Sequence, residues 1–540
     1  MSSRLAGAAA KASNRSTSAW DVIIGSNAFI GSADSITTAK RVGNSDNSNY
    51  FQGHQSCSLS SEASAVPSPS HYLGSAAVKD NLSTLRRSTT CASGILANYN
   101  SPYEASVIQC LRDNGGTVFG KTNMDEFGMG SHSTNSAFGP VKNRQTFSAG
   151  GSSGGSAVAV STDMTELGIG TDTGGSVRLP AAYNGITGFK PSYGRISRFG
   201  VIPYANSLDT VGLFTRDCSK MVETFNRLRH HDSQDPTSTS QQTIDRLDHA
   251  LSEATTKANH LRTRPSDILR IGVPIEYNIE ELHQDVRGAW KAVLETLRSQ
   301  GHDIVPVSLP STRHALPAYY ILAAAEAASN LAKYDGVRYG TRRHANDGEG
   351  GVLYAKTRGD GFGDEVKRRI LLGSYTLSSE AIDNYFIQAQ KVRRLVQRDF
   401  DRVFSMPNPL QTAQQFDLSE IEEYVELENK LGPAQIDVIV CPTTPTTAPL
   451  LSDVMKQTSV DAYMNDVFTV PASLAGLPAI SIPASLPEDY CKAGELNKAG
   501  IQVIGQYWTD DLVLSVARMI EGCMNGEKDL VSAALENEIP

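Results

Sequence analysis

The sequence predicts an α/β protein, and three observations carry that expectation. First, residues 104–114 read as a helix with Val107, Ile108 and Leu111 on one face. A Gly115-Gly116 stop follows, then a strand from Thr117. Second, apolar segments punctuated by Gly and Pro open the ordered part of the chain and return near 435, after a long helical middle. Third, 540 residues with 40% hydrophobic and 20% charged content suit one large α/β domain or two smaller ones.

Taken in order, the first twenty residues carry Arg4, Lys11 and Arg15, many Ala and Ser, and no acid before Asp21. That composition suits a mitochondrial transit peptide; a chance lack of acids in a disordered N-terminus is the bland alternative. Residues 1–70 form a transit-like, low-complexity segment, Ser/Asn-rich from about 31. The ordered core is expected to begin with the strand 76–78, which runs into Lys79-Asp80-Asn81. Residues 167–170 are the next short strand, and 230–265 is a polar linker or surface helix. His230-His231-Asp232 has no further ligand spacing nearby and reads as a solvated loop.

A strand is expected at 269–274 and helices at 286–299, 319–334 and 382–404. The last has a basic face of Lys391, Arg393, Arg394 and Arg398, which reads as solvated surface. Residues 406–433 are acidic and polar and read as an insertion. Strands at 436–440, 470–483 and 500–506 and a helix at 510–523 close the chain. The domain reading is therefore a single domain over 71–530. Its core comprises 71–220 and 435–530, with a helical middle part over 266–405.

Composition excludes several functions. A net charge of −9 speaks against bulk nucleic-acid binding. No apolar run is long enough to span a bilayer. The seven cysteines are scattered, with no CxxC, which argues against a disulfide framework or a zinc site and for a reducing compartment.

The chemistry concentrates in residues 148–178, SAGGSSGGSAVAVSTDMTELGIGTDTGGSVR. Two Gly/Ser knots, 150–156 and 174–176, bracket patterned apolar residues, so flexible linkers are a poor explanation. Serines in such knots can be nucleophiles, and the N–H groups of 173–176 can converge on one oxygen. Such a serine needs a base, and the stretch has no His. The candidates are His132 and Lys79. A lysine serves only when neutral, which requires burial or a cationic neighbour. Composition alone favours a solvated or ion-paired Lys79 beside Asp80. Two motifs mislead. Residues 115–122 (GGTVFGKT) match a phosphate loop, but with a helix before and a strand inside. Residues 151–155 fit G-x-S-x-G without the hydrophobic strand a nucleophile elbow requires.

Lys79, GGSSGGS at 150–156 and DTGGS at 172–176 resemble the amidase signature family, over about residues 73–522. The resemblance implies a large mixed central sheet covered by helices on both faces. It also implies a Ser–cis-Ser–Lys triad, with Ser176 as nucleophile, Ser152 as bridging serine after a cis bond from Gly151, and Lys79 as base. Thr173, Gly174 and Gly175 would form the oxyanion hole. Residues 121–139, 326–340, 362–373 and 463–469 look like the family's glutamine-hydrolysing branch, the A subunits of glutamyl-tRNA(Gln) amidotransferases, in their mitochondrial form.

That branch implies a subunit that feeds ammonia to a B subunit, with a small third subunit beside them. ATP and Mg would sit at the partner, which would also hold most of the Glu-tRNA(Gln); no cofactor or metal is expected in this chain. Arg369, with Arg368 as the alternative, would hold the glutamine carboxylate, and Asp466 its α-amino group. The chain departs from the family at Ala149, where Pro is usual. Its early region is Ser-rich without evident N-terminal helices, and 406–433 looks inserted. A stand-alone amidase and a non-catalytic scaffold are the competing readings. An amidase of apolar amides would have no use for the Arg369/Asp466 charge pair, and a scaffold would have no use for Lys79, Ser152 and Ser176.

Overall fold

The computed structural model describes residues 25–30, 72–144, 146–261, 268–342, 352–411 and 436–525. Residues 1–24, 31–71 and 412–435 lie outside them, so the expected transit-like segment apart from 25–30, and most of the expected insertion, do too.

Among the described residues twelve strands are formed: β1 (Ser75–Lys79), β2 (Thr117–Thr122), β3 (Lys142–Asn143), β4 (Phe147–Ser148), β5 (Leu167–Asp172), β6 (Thr187–Lys190), β7 (Thr210–Thr215), β8 (Arg270–Pro274), β9 (Asp303–Val307), β10 (Val438–Pro442), β11 (Ala479–Ser485) and β12 (Lys498–Ile504). β3 and β4 form a separate two-stranded sheet, and the other ten build one sheet in the order β2-β1-β5-β7-β6-β11-β12-β10-β8-β9. β2, β1 and β5 are parallel, the central strands through β12 and β10 antiparallel, and β10, β8 and β9 parallel again. β5, β7 and β10 are buried at every residue, as strands covered on both faces must be.

Alternation along β6 identifies the covers. A side chain at Gly188 would meet Ala181 of the Arg178–Asn184 helix. Its neighbour Phe189 points the other way, onto Phe225 of the Cys218–Leu228 helix at 5.2 Å. Helices therefore lie on both faces.

Most expected elements form within a few residues of their anticipated ends. Several readings need correction. Residues 25–30 belong to the core, which does not begin at 76. Ala28 and Phe29 are buried, and Phe29 bridges Thr122 at the outer edge of β2. The stretch 266–405 is not wholly helical, because β8 and β9 join the far edge of the sheet. Residues 470–475 are a helix, not the start of a strand: Pro471 stands in its first turn and Gly476, at φ +74°, ends it. In the polar stretch 230–265, by contrast, the surface-helix reading holds, with a helix over Gln241–Leu261. Asp232 is buried rather than solvated, accepting from Ser106 and Ser197, each at 2.6 Å.

Candidate active site

The parallel register of β1 on β5 places Val78 opposite Ile169, so Lys79 and Thr171 end side by side at the carboxyl edge of the sheet. This is the edge where open α/β sheets collect ligands. Lys79 Nζ donates to Ser152 Oγ at 2.7 Å, to Thr171 Oγ1 at 2.9 Å and to the Thr171 carbonyl at 3.2 Å. Asn81 Nδ2 also donates to Thr171 Oγ1, at 3.1 Å. Among the described residues, no carboxylate touches the ammonium. Complete burial pulls its pKa down to about 7, against the more distant charges of Asp125, Asp209 and Asp172.

Ser152 sits on a tight loop whose Gly151–Ser152 peptide bond is cis. Asp125 backs this loop. Its N–H donates to the Ser152 carbonyl at 3.2 Å, and its carboxylate accepts from the N–H groups of Ser133 and Asn135 at 2.8 and 2.9 Å. A side chain at Gly151 would lie 2.2 Å from Asp125 Oδ2, so only glycine fits there. Burial raises the Asp125 carboxyl to about 6, opposed by those N–H groups.

Ser176 stands on the loop between β5 and the Arg178–Asn184 helix. At 8% it is the most exposed of Lys79 (0%), Ser152 (1%) and Ser176. The loop is stapled at its base. Arg178 Nη2 and Nε donate to Asp172 Oδ1 and Oδ2 at 2.8 and 3.0 Å, and Val177 N donates to Asp172 Oδ2 at 3.1 Å. Burial alone would raise the Asp172 carboxyl, but the Arg178 guanidinium, the Lys190 charge and the Val177 N–H together outweigh it and hold the group below the usual range. The crown is held by Thr173 Oγ1 donating to Asp209 Oδ1 at 2.7 Å and Thr469 Oγ1 donating to the Gly174 carbonyl at 2.6 Å. Ser153 N donates to the Ser176 carbonyl at 3.2 Å, tying the two serine loops together. Among the described residues, no acceptor is bonded to the N–H of Thr173, Gly174, Gly175 or Ser176. These four are available to an incoming oxygen.

Asp466 flanks the same loop, since a side chain at Gly175 would lie 3.1 Å from its Oδ1, and Tyr320 stands between Asp466 and Arg369. Arg369 is enclosed by the rings of Tyr204, Tyr320 and Tyr463, with its guanidinium carbon 5.1–5.7 Å from their centroids. It donates to Glu365 Oε1 at 2.8 Å and to the Tyr204 hydroxyl at 2.7 Å. Asp466 accepts from Ser131 Oγ at 2.7 Å and the Tyr320 hydroxyl at 3.2 Å. Burial raises it to about 7, against those two hydroxyls. The side chain of Arg369 is 4% exposed, whereas that of Arg368 is 51% exposed.

His132 is not placed as a base. It is buried, with one ring nitrogen 2.9 Å from Ser148 Oγ and the other 3.1 Å from Asn465 Nδ2, and burial lowers it to about 4. Ser153 is fully buried and donates to the Thr171 carbonyl at 3.2 Å. Lys121, from the phosphate-loop look-alike, is buried on β2, 3.5 Å from Asp80. Sequence reasoning missed the Asp172/Arg178 staple, Asp125, Asp209 and the tyrosine enclosure. Only the staple left a legible trace: opposite charges bracketing TGGSV at 173–177.

A family model described as Amidase matches residues 75–514. The A subunit of the mitochondrial glutamyl-tRNA(Gln) amidotransferase of Fusarium vanettenii is 56% identical over 457 residues, covering 82% of this chain and 86% of that protein. Its counterpart from Podospora anserina is 58% identical over 453 residues, covering 82% and 88%. The crystal structure of the A subunit of glutamyl-tRNA(Gln) amidotransferase from Thermotoga maritima superposes with a TM-score of 0.63 at 32% identity, over 86% of each chain. The chain belongs to the amidase signature family.

Proposed function

We propose that this chain is the glutamine-hydrolysing subunit of a mitochondrial tRNA-dependent amidotransferase. It supplies ammonia for converting Glu-tRNA(Gln) to Gln-tRNA(Gln). The observation that carries the reading is a fully buried lysine with a depressed pKa, 2.7 Å from the Ser152 hydroxyl, on a loop hydrogen-bonded to the Ser176 loop through Ser153 N.

The neutral Lys79 amine keeps two N–H bonds for Thr171 and turns its lone pair to Ser152. Ser176 Oγ attacks the glutamine side-chain carbonyl carbon, passing its proton to Ser152 as Ser152 passes its own to Lys79. The new oxyanion lies under the N–H groups of Thr173, Gly174, Gly175 and Ser176; each such donor lowers the barrier by roughly 3 kcal/mol. The protons return along the relay to the departing nitrogen, the carbon–nitrogen bond breaks, and ammonia leaves an acyl-Ser176. Water, activated by the same relay, releases glutamate and restores the serine. Arg369 takes the substrate α-carboxylate and Asp466 its α-ammonium, which selects an amino-acid amide over an apolar one.

Ammonia passes to a B subunit, which holds ATP, Mg and the tRNA, with a small third subunit completing the complex. The test is glutamine-dependent, ATP-dependent amidation of Glu-tRNA(Gln) by the chain co-expressed with such partners, compared with Ser176→Ala. Activity that is lost on Ser176→Ala but restored by free ammonia supports the reading. A chain that purifies alone and hydrolyses unrelated amides faster than glutamine overturns it in favour of a stand-alone amidase.

A further inference from the structure

Residues 25–30 do more than cover the edge of β2. Ile30 N donates to the Lys121 carbonyl at 3.0 Å, and Asn123 N to the Ala28 carbonyl at 2.9 Å. Phe29 lies on Phe119 with ring centroids 5.4 Å apart. Two glycines make room for this strap. A side chain at Gly120 would lie 2.8 Å from the Phe29 ring, and one at Gly155 would lie 2.5 Å from the Ala28 carbonyl oxygen. Gly155 is in the first turn of the helix that directly follows Ser152 and Ser153.

The strap's polar centre is Asn27, at φ +55°, a left-handed conformation that asparagine tolerates better than most residues. Its side-chain amide nitrogen faces three successive carbonyls, those of Phe138, Gly139 and Pro140, at 2.8, 3.1 and 3.4 Å. Asn123 Nδ2 joins the cluster, donating to the Gly139 carbonyl at 3.0 Å and the Asn27 carbonyl at 3.3 Å. The carbonyl run leads straight to Val141, whose N–H donates to the Ser133 carbonyl at 2.9 Å. Ser133 Oγ then donates to the Gly150 carbonyl at 2.8 Å and accepts from Gly154 N at 3.0 Å. One hydroxyl thus bridges the two sides of the turn that presents Ser152. The Ser133 N–H also holds Asp125, whose own N–H binds the Ser152 carbonyl.

We infer that Asn27 is a positioning residue for Ser152: by clamping the 138–140 carbonyls it fixes Ser133, whose hydroxyl locks the turn on both sides of the relay serine. The inference rests on the reading of Ser152 as proton relay. It makes a segment near the start of the chain, separated from the core by some forty residues of low-complexity sequence, part of the catalytic scaffold.

The test uses the full chain in its assembled complex, with Asn27→Ala, Asn27→Asp and Asn27→Ser, and reads glutamine hydrolysis against thermal melting. Asn27→Asp matches asparagine in size but turns a carboxylate on three carbonyls; Asn27→Ser keeps one donor. The expected result is a kcat at least tenfold lower for Ala and Asp and intermediate for Ser. KM for glutamine should stay within threefold among molecules that remain folded. The double variant Asn27→Ala/Ser133→Ala should fall no further than the worse single variant, because both cut one route. Wild-type kcat in Asn27→Asp, or a double variant whose loss is the product of the two single losses, overturns the inference. Ser176→Ala separates the two claims. If it still hydrolyses glutamine, the site reading fails. If it is dead while every Asn27 variant is fully active, only the strap inference fails.

Discussion

Two lysines stand on neighbouring strands of the same sheet edge, and both are buried. Lys121 meets a carboxylate, Asp80 at 3.5 Å, with the Thr89 hydroxyl at 3.1 Å and the Leu82 carbonyl around it. Lys79 meets only hydroxyls and a carbonyl. Burial lowers both, and in Lys121 the adjacent Asp80 is the main opposing influence. Burial alone therefore does not make a lysine a base. What matters is whether the ammonium has been given a counter-ion or left one proton transfer away from a serine.

The largest effect expected from this contrast is on chemistry at Lys79. Lys79→Ala should lower kcat for glutamine hydrolysis by on the order of 10²- to 10⁴-fold, the range general base catalysis supplies, while leaving a folded chain. Steady-state kinetics with a melting curve checks it; near wild-type kcat would remove the lysine from the mechanism. The neighbour should behave oppositely. Lys121→Met leaves Asp80 buried without its cation and should cost about 3–5 kcal/mol of stability, with kcat per folded molecule changed by less than about tenfold. Denaturant melts paired with kinetics separate the two lysines; a dead but stable Lys121→Met would erase the distinction.

The same contrast explains what the sequence could and could not reveal. Helix, glycine stop and strand around residue 115 are written in local pattern, and the structure forms the Ser106–Asp113 helix and β2 there. The Gly/Ser knots mark the loops of Ser152 and Ser176 because close backbone approach excludes side chains, as Gly151 against Asp125 illustrates. Lys79 was different. Nothing local separates it from a lysine paired with its neighbour Asp80, and only the pairing of β1 with β2 and β5 sends Asp80 to Lys121 and Lys79 to Ser152. Resemblance, not composition, singled it out. The strap at 25–30 was invisible for a related reason: six residues amid low-complexity sequence carry too little periodicity to read as an element.

A smaller effect should appear in pH dependence. Lys79 must be neutral and Asp466 ionised, and both titrate near 7. Each becomes competent by losing a proton, so activity is present above pH 7 and lost as pH falls through it. Two protonations in one window should give log kcat/KM a slope approaching 2 on the acid side, macroscopic values that belong to the pair. Asp466→Asn should raise KM and reduce the slope to about 1, leaving Lys79 to titrate alone. An unchanged slope would take Asp466 out of the acid limb.

The smallest effect sharpens the contrast in a second pair of cations, adjacent in sequence and opposite in setting. Arg369 lies inside three tyrosine rings with Glu365 and Tyr204 fixing its fork, whereas half of the Arg368 side chain is open to solvent beside the same Glu365. An exposed ion pair contributes about 0–1 kcal/mol. Arg368→Ala should therefore shift stability within that range and leave the glutamine KM within about threefold of wild type. A charge-assisted contact to a substrate carboxylate contributes about 1.5–3 kcal/mol, so Arg369→Ala should raise KM by roughly ten- to a hundredfold. Arg369→Lys should recover little of that, because an ammonium cannot reproduce the planar fork. Measuring KM for glutamine across the three variants decides the matter. An Arg368→Ala variant that loses glutamine binding while Arg369→Ala keeps it would reverse the assignment and show that burial among tyrosines, like burial at Lys121, had marked a structural cation rather than a functional one.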